Sequence, residues 1–286
     1  MGLRVWQCVL AWVGVMVAIS YADTLESCGD GQFRGLGFCG VEDKGGVMTT
    51  TEQASAVPTM AAFVIGGTGM VGKKLVAELA QSEQFSRIVT MGRRVVAYDG
   101  PGKEKLDQHV VDFDKIDEHK ALLENLDVGF NTMGTTAKDA GTPEQFIKID
   151  HDIPLHVARL FKEANPSKPL HFCLLSSGGA SATSSMLYPK TKGLLEQHIT
   201  ELGFAKLSIF RPGLLVYDGD KREKPRLAES IGVAIHKPLN FLTGGRAAIG
   251  VTSVAKAMTV VAGKGIGGEK VEAYDNRAIG NLAGGK

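Results

Sequence analysis

The chain has 286 residues, of which 44% are hydrophobic and 22% charged, the composition of a globular protein with one sizeable core. Its 32 Lys and Arg nearly balance its 31 Asp and Glu, and no basic run occurs, which excludes the electrostatic footprint of a nucleic-acid-binding protein. A small molecule is therefore the expected partner.

The first sixty residues differ in character from the rest of the chain. Arg4 precedes an apolar run at residues 5–19, and small residues stand just before Asp23, which is the pattern of a secretory signal peptide. The run is short for a membrane span of about 20 apolar residues, so cleavage is favoured over anchoring. Residues 23–60 are rich in glycine, threonine and acidic residues and lack periodicity, which predicts a disordered linker.

We therefore expect three parts: a signal-peptide-like or anchor segment at 1–22, a disordered linker at 23–60, and one folded domain at 61–286. An alternative is an upstream extension, with translation starting effectively at Met48 or Met60. Localisation stays open between the cytoplasm and, if the first segment acts as a signal or anchor, the secretory pathway or a membrane. The sequence contains no CxxC pair and no histidine cluster, so it does not predict a metal site.

A glycine-rich turn opens the predicted domain. The short apolar run 61–65 leads into GGTGMVG at 66–72, and apolar residues then recur at helical spacing, which predicts a strand, a tight turn and a helix. Gly66 lets the chain reverse, Gly69 lets backbone N–H groups approach a phosphate, and Gly72 lets the helix lie close to the sheet. The sequence therefore predicts a dinucleotide site, although an ordinary turn is the alternative.

Two arginines follow the predicted second strand, residues 87–91. An acidic residue about 20 positions after the glycine turn would bind the ribose 2′-hydroxyl, whereas an arginine there suits a 2′-phosphate. No Asp or Glu occurs between Arg87 and Tyr98, but Arg93 and Arg94 do. The pair predicts NADPH as the cofactor, and a solvated basic strand end is the alternative.

Further strands and helices alternate along the chain. Residues 109–111 are a predicted third strand, whose exit at Asp112-Phe113 could hydrogen-bond and cover an adenine ring. A helix is expected at 116–124, and a fourth strand at 128–133 ends in Gly134, which could pass close under a cofactor. Plain strand-to-helix turns are the alternative for both exits.

A long helix is predicted at 143–165, with Asp150 near its apolar face. The continuous apolar run 170–175 is typical of a parallel strand buried on both sides, and it stops at Ser176-Ser177. Alternating strands and helices predict a Rossmann-like α/β fold, a doubly wound parallel sheet with helices on both faces and the ligand at the carboxyl ends of the strands.

Tyr188 and Lys192 are the candidate catalytic pair. Four positions apart on a helix, they share one face, and the lysine ammonium would lower the pKa of the tyrosine so that it can give a proton to a carbonyl oxygen. Ser177 would hydrogen-bond the same oxygen. Because Pro189 lacks an N–H, we expect the helix to begin about one turn before it, with Ser184 or Ser185 as the N-cap. A helix that begins well before Ser184 should be kinked at Pro189. Ordinary surface residues are the alternative.

From residue 61 to its C-terminus the chain resembles the short-chain dehydrogenase/reductases, and within them the atypical branch of the HIV Tat-interacting protein oxidoreductases and their fungal mitochondrial outer-membrane relatives. The segments that carry this resemblance are GRR at 92–94, VVDF at 110–113, DVGFNTMGTT at 127–136, HFCLLSSGGA at 171–180, LYPKTKGLLE at 187–196 and FRPGLL at 210–215.

The resemblance implies that Tyr188 and Lys192 reach the nicotinamide ribose as well as the substrate. It also implies a set of NADPH contacts: Thr68, Gly69, Met70, Val71, Arg93, Arg94, Met133, Gly134, and the backbone from Pro212 to Leu215 beside the carboxamide. Asp150 departs from the pattern, since many extended relatives carry an asparagine about there, so the resemblance does not extend to a full proton relay.

We interpret the chain as an NADPH-dependent oxidoreductase that reduces a carbonyl-type small molecule by hydride transfer. Two alternatives stay open: an NADPH-binding regulatory protein that engages a protein partner with little or no turnover, and a nucleoside-sugar epimerase. Helices at 227–235 and 252–262 and a strand at 269–274 are expected to form a lid over the substrate. Arg222 and Lys224 would either contact phosphates or stand in solvent.

Overall fold

The computed structural model describes residues 59–217 and 248–284. Seven parallel strands form one sheet in the order β3-β2-β1-β4-β5-β6-β9, and two further strands, β7 and β8, pair in parallel separately. The strands are β1 Met60–Ile65, β2 Phe85–Gly92, β3 Leu106–Val110, β4 Val128–Asn131, β5 His171–Leu175, β6 Lys206–Phe210, β7 Leu214–Val216, β8 Ala248–Gly250 and β9 Val271–Tyr274.

Helices connect these strands. They are α1 Met70–Gln81, α2 Ala137–Ala140, α3 Pro143–Ile147, α4 Ile153–Ala164, α5 Leu187–Glu201, α6 Val251–Gly263 and α7 Asn276–Ala283. The described residues also contain two 3₁₀ segments, Lys103–Lys105 and Phe113–Leu123, and a π-helical turn, Lys148–Asp152, which separates α3 from α4.

Both faces of the sheet are buried, because successive residues of each central strand point to opposite sides. On one face Ala62 and Val64 of β1 pack with α1 and α6. On the other face Phe63 and Ile65 pack with α4 and α5. The ring of Phe63 meets that of Phe161 edge-on, with centroids 4.9 Å apart, so the aromatic residues also fix how α4 lies on the sheet.

A small polar cluster interrupts the first face beside the amino ends of β5, β6 and β9. His171 Nε2 lies 2.9 Å from Ser208 Oγ, and Lys206 pairs with Glu272 at 2.8 Å. Burial, and after it the positive charge of Lys206, lower the pKa of His171 to about 4. Burial raises the pKa of the Cys173 thiol well above its ordinary range, so this cysteine is chemically inert in the folded chain.

The strand order reverses between β1 and β4, which are neighbours in the sheet although β2 and β3 come between them in the chain. The connections that leave β1 and β4 diverge at this point, and a crevice opens beyond the carboxyl ends of the strands. Ligands of doubly wound proteins bind in such a crevice. The fold class predicted from the sequence is confirmed.

Several predicted element boundaries were wrong. The third strand is Leu106–Val110 rather than 109–111, and the helix expected at 116–124 is the 3₁₀ segment Phe113–Leu123. β1 already begins at Met60, inside the predicted linker. The fourth and late strands are shorter than predicted, and β6, β7, β8 and α7 were not predicted at all.

Other predictions fall outside the described residues. These concern residues 1–58, Arg222, Lys224 and the helix at 227–235. Among the helices of residues 59–217 and 248–284, none combines the length and the apolar character that crossing a membrane requires.

Candidate active site

The glycine turn after β1 is sterically required. Gly66 has a φ of +81°, in the left-handed region, and a Cβ there would lie 2.5 Å from the backbone nitrogen of Met133. A Cβ on Gly72 would lie 2.2 Å from the carbonyl oxygen of Gly66. Gly69 closes the turn by donating its N–H to that same oxygen at 2.9 Å. The glycines therefore allow β1, α1 and the exit of β4 to meet closely.

The N-terminus of α1 is open at this turn. Its N-cap, Gly69, provides no side-chain hydrogen bond, and no acidic residue stands in the first helical turn. The free N–H groups and the helix dipole therefore favour an anion beside Thr68, Met70 and Val71. Val71 is buried, so its side chain belongs to the core rather than to a ligand site. This arrangement fits the pyrophosphate of a nicotinamide dinucleotide.

Arg93 and Arg94 directly follow β2 at the same edge of the sheet, and both are exposed. Within residues 59–217 and 248–284 neither guanidinium has an ion-pair partner. Asp112 and Phe113 follow β3, where the Asp112 carboxylate accepts the N–H of Asp114 at 3.0 Å and caps the 3₁₀ segment. Phe113 packs against the core, and the predicted adenine contact of these two residues stays a prediction.

Lys192 lies beneath the turn that leaves β4. A Cβ on Gly134 would come within 3.6 Å of Lys192 Nζ, which places the ammonium directly under this glycine. Lys192 Nζ pairs with Asp150 Oδ1 at 2.7 Å. The second Asp150 oxygen accepts the N–H of Thr135 at 2.8 Å. The sequence placed Asp150 near the apolar face of a helix but gave no sign of this ion pair.

Tyr188 stands in the first turn of α5, four residues before Lys192 and on the same face of the helix. Its side chain is 43% exposed, and its ring centroid lies 5.9 Å from that of Phe146. Tyr188 is therefore accessible to a ligand.

The expected start of α5 was wrong. The N-cap is Met186, without a side-chain bond, and Ser184 Oγ accepts the N–H of Met186 rather than an N–H of the helix. The helix begins at Leu187, so Pro189 falls in its first turn, where no intrahelical N–H bond is needed. The helix therefore begins after Ser184, and Pro189 introduces no kink.

Ser177 lies at the exit of β5, held by backbone bonds to the exit of β6. Ser176 donates its N–H to Phe210 O at 2.8 Å, and Gly178 donates to Pro212 O at 2.7 Å. Ser177 Oγ is buried and has no hydrogen-bond partner in the described part of the chain. A buried hydroxyl without a hydrogen-bond partner is energetically costly. A polar oxygen atom of a bound ligand would provide that partner.

Ser177, Tyr188 and Pro212 share one cavity of about 480 Å³. Arg211 in its wall forms a two-bond ion pair with Glu196, at 2.9 and 2.5 Å, which raises the pKa of the guanidinium. Asn276, at the start of α7, accepts the N–H of Gly213 at 2.7 Å and was missed by the sequence analysis, because a lone asparagine carries no pattern. Leu215, in β7, is half-buried against the core, so only its backbone could face a carboxamide.

A larger cavity of about 670 Å³ lies at the opposite edge of the sheet. Leu170 and Ala205, which precede β5 and β6, are part of its wall, together with several lysines. None of the predicted site residues reaches it, and the carboxyl ends of the strands are where this fold binds ligands.

Relatives of this chain bear on the site. The chain is 35% identical over 223 residues to Protein HTATIP2 of Rattus norvegicus, and the match covers 77% of this chain and 88% of the relative. It is 36% identical over 213 residues to "Protein FMP52, mitochondrial" of Candida albicans, with 73% and 91% covered. The chain belongs to the HTATIP2 and FMP52 family. The resemblance to atypical short-chain dehydrogenase/reductases is thereby confirmed.

Two broader findings agree with membership of the HTATIP2 and FMP52 family. Residues 62–200 match the NAD dependent epimerase/dehydratase family. The fold is similar to that of the UDP-N-acetylglucosamine 4-epimerase from Methanobrevibacter ruminantium M1, with a TM-score of 0.55 at 14% identity over 77% of each chain. The structural likeness concerns the fold alone. The family match and the glycine turn together support an NAD(P)-binding protein of the short-chain dehydrogenase/reductase type.

Proposed function

We propose that the protein is an NADPH-dependent oxidoreductase that reduces a carbonyl-type small molecule by hydride transfer. One observation carries this proposal. The partly exposed Tyr188 stands one helical turn before the buried Lys192. Its cavity also contains Ser177, whose buried hydroxyl has no hydrogen-bond partner among the described residues. A proton donor, a cation and a second hydroxyl are the groups that carbonyl reduction needs around one oxygen atom.

Each residue has a role that follows from its position in the site. The glycine turn and the N-terminus of α1 would hold the pyrophosphate, and Gly134 would let the nicotinamide end pass over Lys192. The bound cofactor supplies the hydride. Tyr188 would donate its proton to the substrate carbonyl oxygen, and Ser177 would hydrogen-bond that oxygen and orient it. Lys192 would contact the nicotinamide ribose and stabilise the tyrosinate formed.

The preference for NADPH rests on Arg93 and Arg94. They directly follow β2, the strand next to β1 and its glycine turn, and no carboxylate within the described residues neutralises them. Two guanidinium groups there favour a 2′-phosphate, because charge-assisted bonds to phosphate are the stronger kind. The same pair argues against a nucleoside-sugar epimerase, which would retain NAD, although the family description includes epimerases.

A small-molecule carbonyl compound is the partner that we propose. In the regulatory alternative the site binds NADPH but catalyses no turnover. A protein partner would then recognise the NADPH-bound form. Contact with a membrane would require that residues 1–22 be retained. No nucleic acid is proposed as a partner.

Two measurements test the proposal. Titration with NADPH and NADH should give at least about tenfold tighter binding of NADPH, and a screen of small aldehydes and ketones should reveal NADPH oxidation. Tyr188→Phe removes only the hydroxyl, so it should leave the NADPH affinity within about threefold while it lowers turnover by about 100-fold or more.

The alternatives give different results in the same assays. A regulatory protein would oxidise no NADPH with any carbonyl compound. It would bind its protein partner only in the presence of NADPH, and Tyr188→Phe would not change that binding. NADPH oxidation that survives Tyr188→Phe unchanged would contradict the catalytic assignment.

A further inference from the structure

Asp150 and Lys192 form a buried ion pair at the centre of the proposed site. The Asp150 side chain is 0% exposed and that of Lys192 4% exposed, and 2.7 Å separates Oδ1 from Nζ. A buried charge without a partner is strongly unfavourable, and removal of one member of a buried pair leaves the other uncompensated. Each charge therefore depends on the other for its ionised state.

The structure fixes the carboxylate from two sides. Its second oxygen accepts the N–H of Thr135 at 2.8 Å, which ties it to the turn after β4. Its backbone belongs to the π-helical turn between α3 and α4, which breaks the regular hydrogen bonding of the helix at this point. A Cβ on Gly134 would be 3.5 Å from Asp150 Oδ1, so the pair lies directly below this glycine.

Other charged groups near the pair are already engaged. On α5, Glu196 forms its two bonds with Arg211. On the π-helical turn, His151 lies 2.8 Å from Asp152 and also 2.8 Å from His198. From α5, Tyr188 is the remaining titratable group on the face of Lys192, and the turn after β4 provides only uncharged groups. Among the described residues, Asp150 is the carboxylate that pairs with Lys192.

We propose that Asp150 is a positioning residue that keeps Lys192 charged and seated beneath Gly134, so that the ammonium can serve both the cofactor ribose and Tyr188. This inference rests on the proposed function of Lys192. An amide of the same shape could accept a hydrogen bond from the ammonium but would bring no charge. The carboxylate should therefore determine the pH range over which the site operates.

The direction of the pH effect follows from the burial. Without the carboxylate, a 4% exposed ammonium has no counter-charge and gives up its proton more readily as the pH rises. Loss of this positive charge weakens cofactor binding at high pH and moves the alkaline limit of activity to lower pH.

Asp150→Asn tests the inference, because it keeps the side-chain shape and removes the charge, although its single oxygen can accept from Thr135 or from Lys192 but not from both. Asp152→Asn is the matched control, an exposed carboxylate on the same π-helical turn. We would titrate full-length protein with NADPH between pH 6 and 9 by nucleotide fluorescence. Asp150→Asn should bind within about threefold of the unmutated protein at pH 6 and at least about tenfold more weakly at pH 9. The unmutated protein and Asp152→Asn should differ by less than about threefold at both pH values.

The titration needs no turnover, so it separates this inference from the proposed reduction. Absence of NADPH oxidation by the unmutated protein would contradict the reduction, while a pH-dependent loss of affinity in Asp150→Asn would still support the role of Asp150. An Asp150→Asn affinity that is unchanged, or lowered equally at every pH, would overturn it. If Asp150→Asn is insoluble, Asp150→Glu provides the test: its longer carboxylate should restore a pH-independent affinity, and a steep loss at pH 9 would overturn the inference.

Discussion

Replacing His171 by Gln should make the protein less sensitive to mild acid. His171 is 1% exposed, its Nε2 lies 2.9 Å from Ser208 Oγ, and its Nδ1 has no partner among the described residues. Burial disfavours the protonated ring, and the nearby positive charge of Lys206 disfavours it further, so the pKa of His171 falls from an ordinary 6.5 to about 4. Glutamine removes the titration and can still hydrogen-bond Ser208.

The size of the effect follows from this difference in pKa. Below about pH 6.5 the unfolded chain binds a proton at His171 that the folded chain does not bind until about pH 4. The free energy of unfolding therefore falls as the pH drops through this window, and the loss is complete below it. The full difference is worth ~3 kcal/mol, and ~2 kcal/mol of it falls between pH 7 and pH 5.

Urea unfolding of full-length protein, followed by circular dichroism at pH 7 and pH 5, measures this quantity. The unmutated protein should lose ~2 kcal/mol more between the two pH values than His171→Gln does. His156→Gln is the control, because the His156 side chain is 45% exposed, and it should behave like the unmutated protein. An equal loss in the unmutated protein and His171→Gln would refute the reasoning.

Three further results are expected. Arg93→Ala combined with Arg94→Ala should reduce the NADPH preference from at least about tenfold to none in nucleotide titrations, and equal affinities before mutation would contradict the assignment. Gly72→Ala brings a Cβ to within 2.2 Å of a backbone oxygen, so it should weaken NADPH binding at least about tenfold and destabilise the fold by ~1–3 kcal/mol. Gly280→Ala should do neither, because apart from its own helix backbone and chain neighbours no described atom lies within 4 Å of the added Cβ. A chain that begins at Met60 should keep its stability and NADPH affinity, and loss of soluble protein would show that the preceding residues pack on the domain.

The parts of the site that the sequence could predict are those with local causes. The glycine turn requires glycine because backbone atoms approach within the length of a Cβ, and Gly66 and Gly72 therefore leave a pattern that is visible without the fold. The spacing of Tyr188 and Lys192 is likewise a property of one helix. Their positions at the crevice followed from the alternation of strands and helices.

Other features depend on contacts between distant residues. β6 reads as an alternation of polar and apolar residues, but Lys206 and Ser208 are buried in the cluster around His171 rather than exposed. The apolar spacing from Phe146 onward predicts one continuous helix, so the sequence pattern gave no indication of the π-helical turn. Its position is fixed by the bonds of Asp150 to Thr135 and Lys192, which no local pattern records.

The π-helical turn, Lys148–Asp152, makes the site sensitive to chain length. Such a turn accommodates about one residue more than an α-helical turn, and the buried faces on either side, Phe146 before it and Leu155 and Ala158 after it, stay on the core. Deletion of one residue from the turn would let the helix close into regular α-helical bonding with both faces still packed. The carboxylate would then leave its place beneath Gly134. Such a deletion should therefore remove this charge from the site while the sheet, the core and the Tyr-Lys spacing of this chain remain intact.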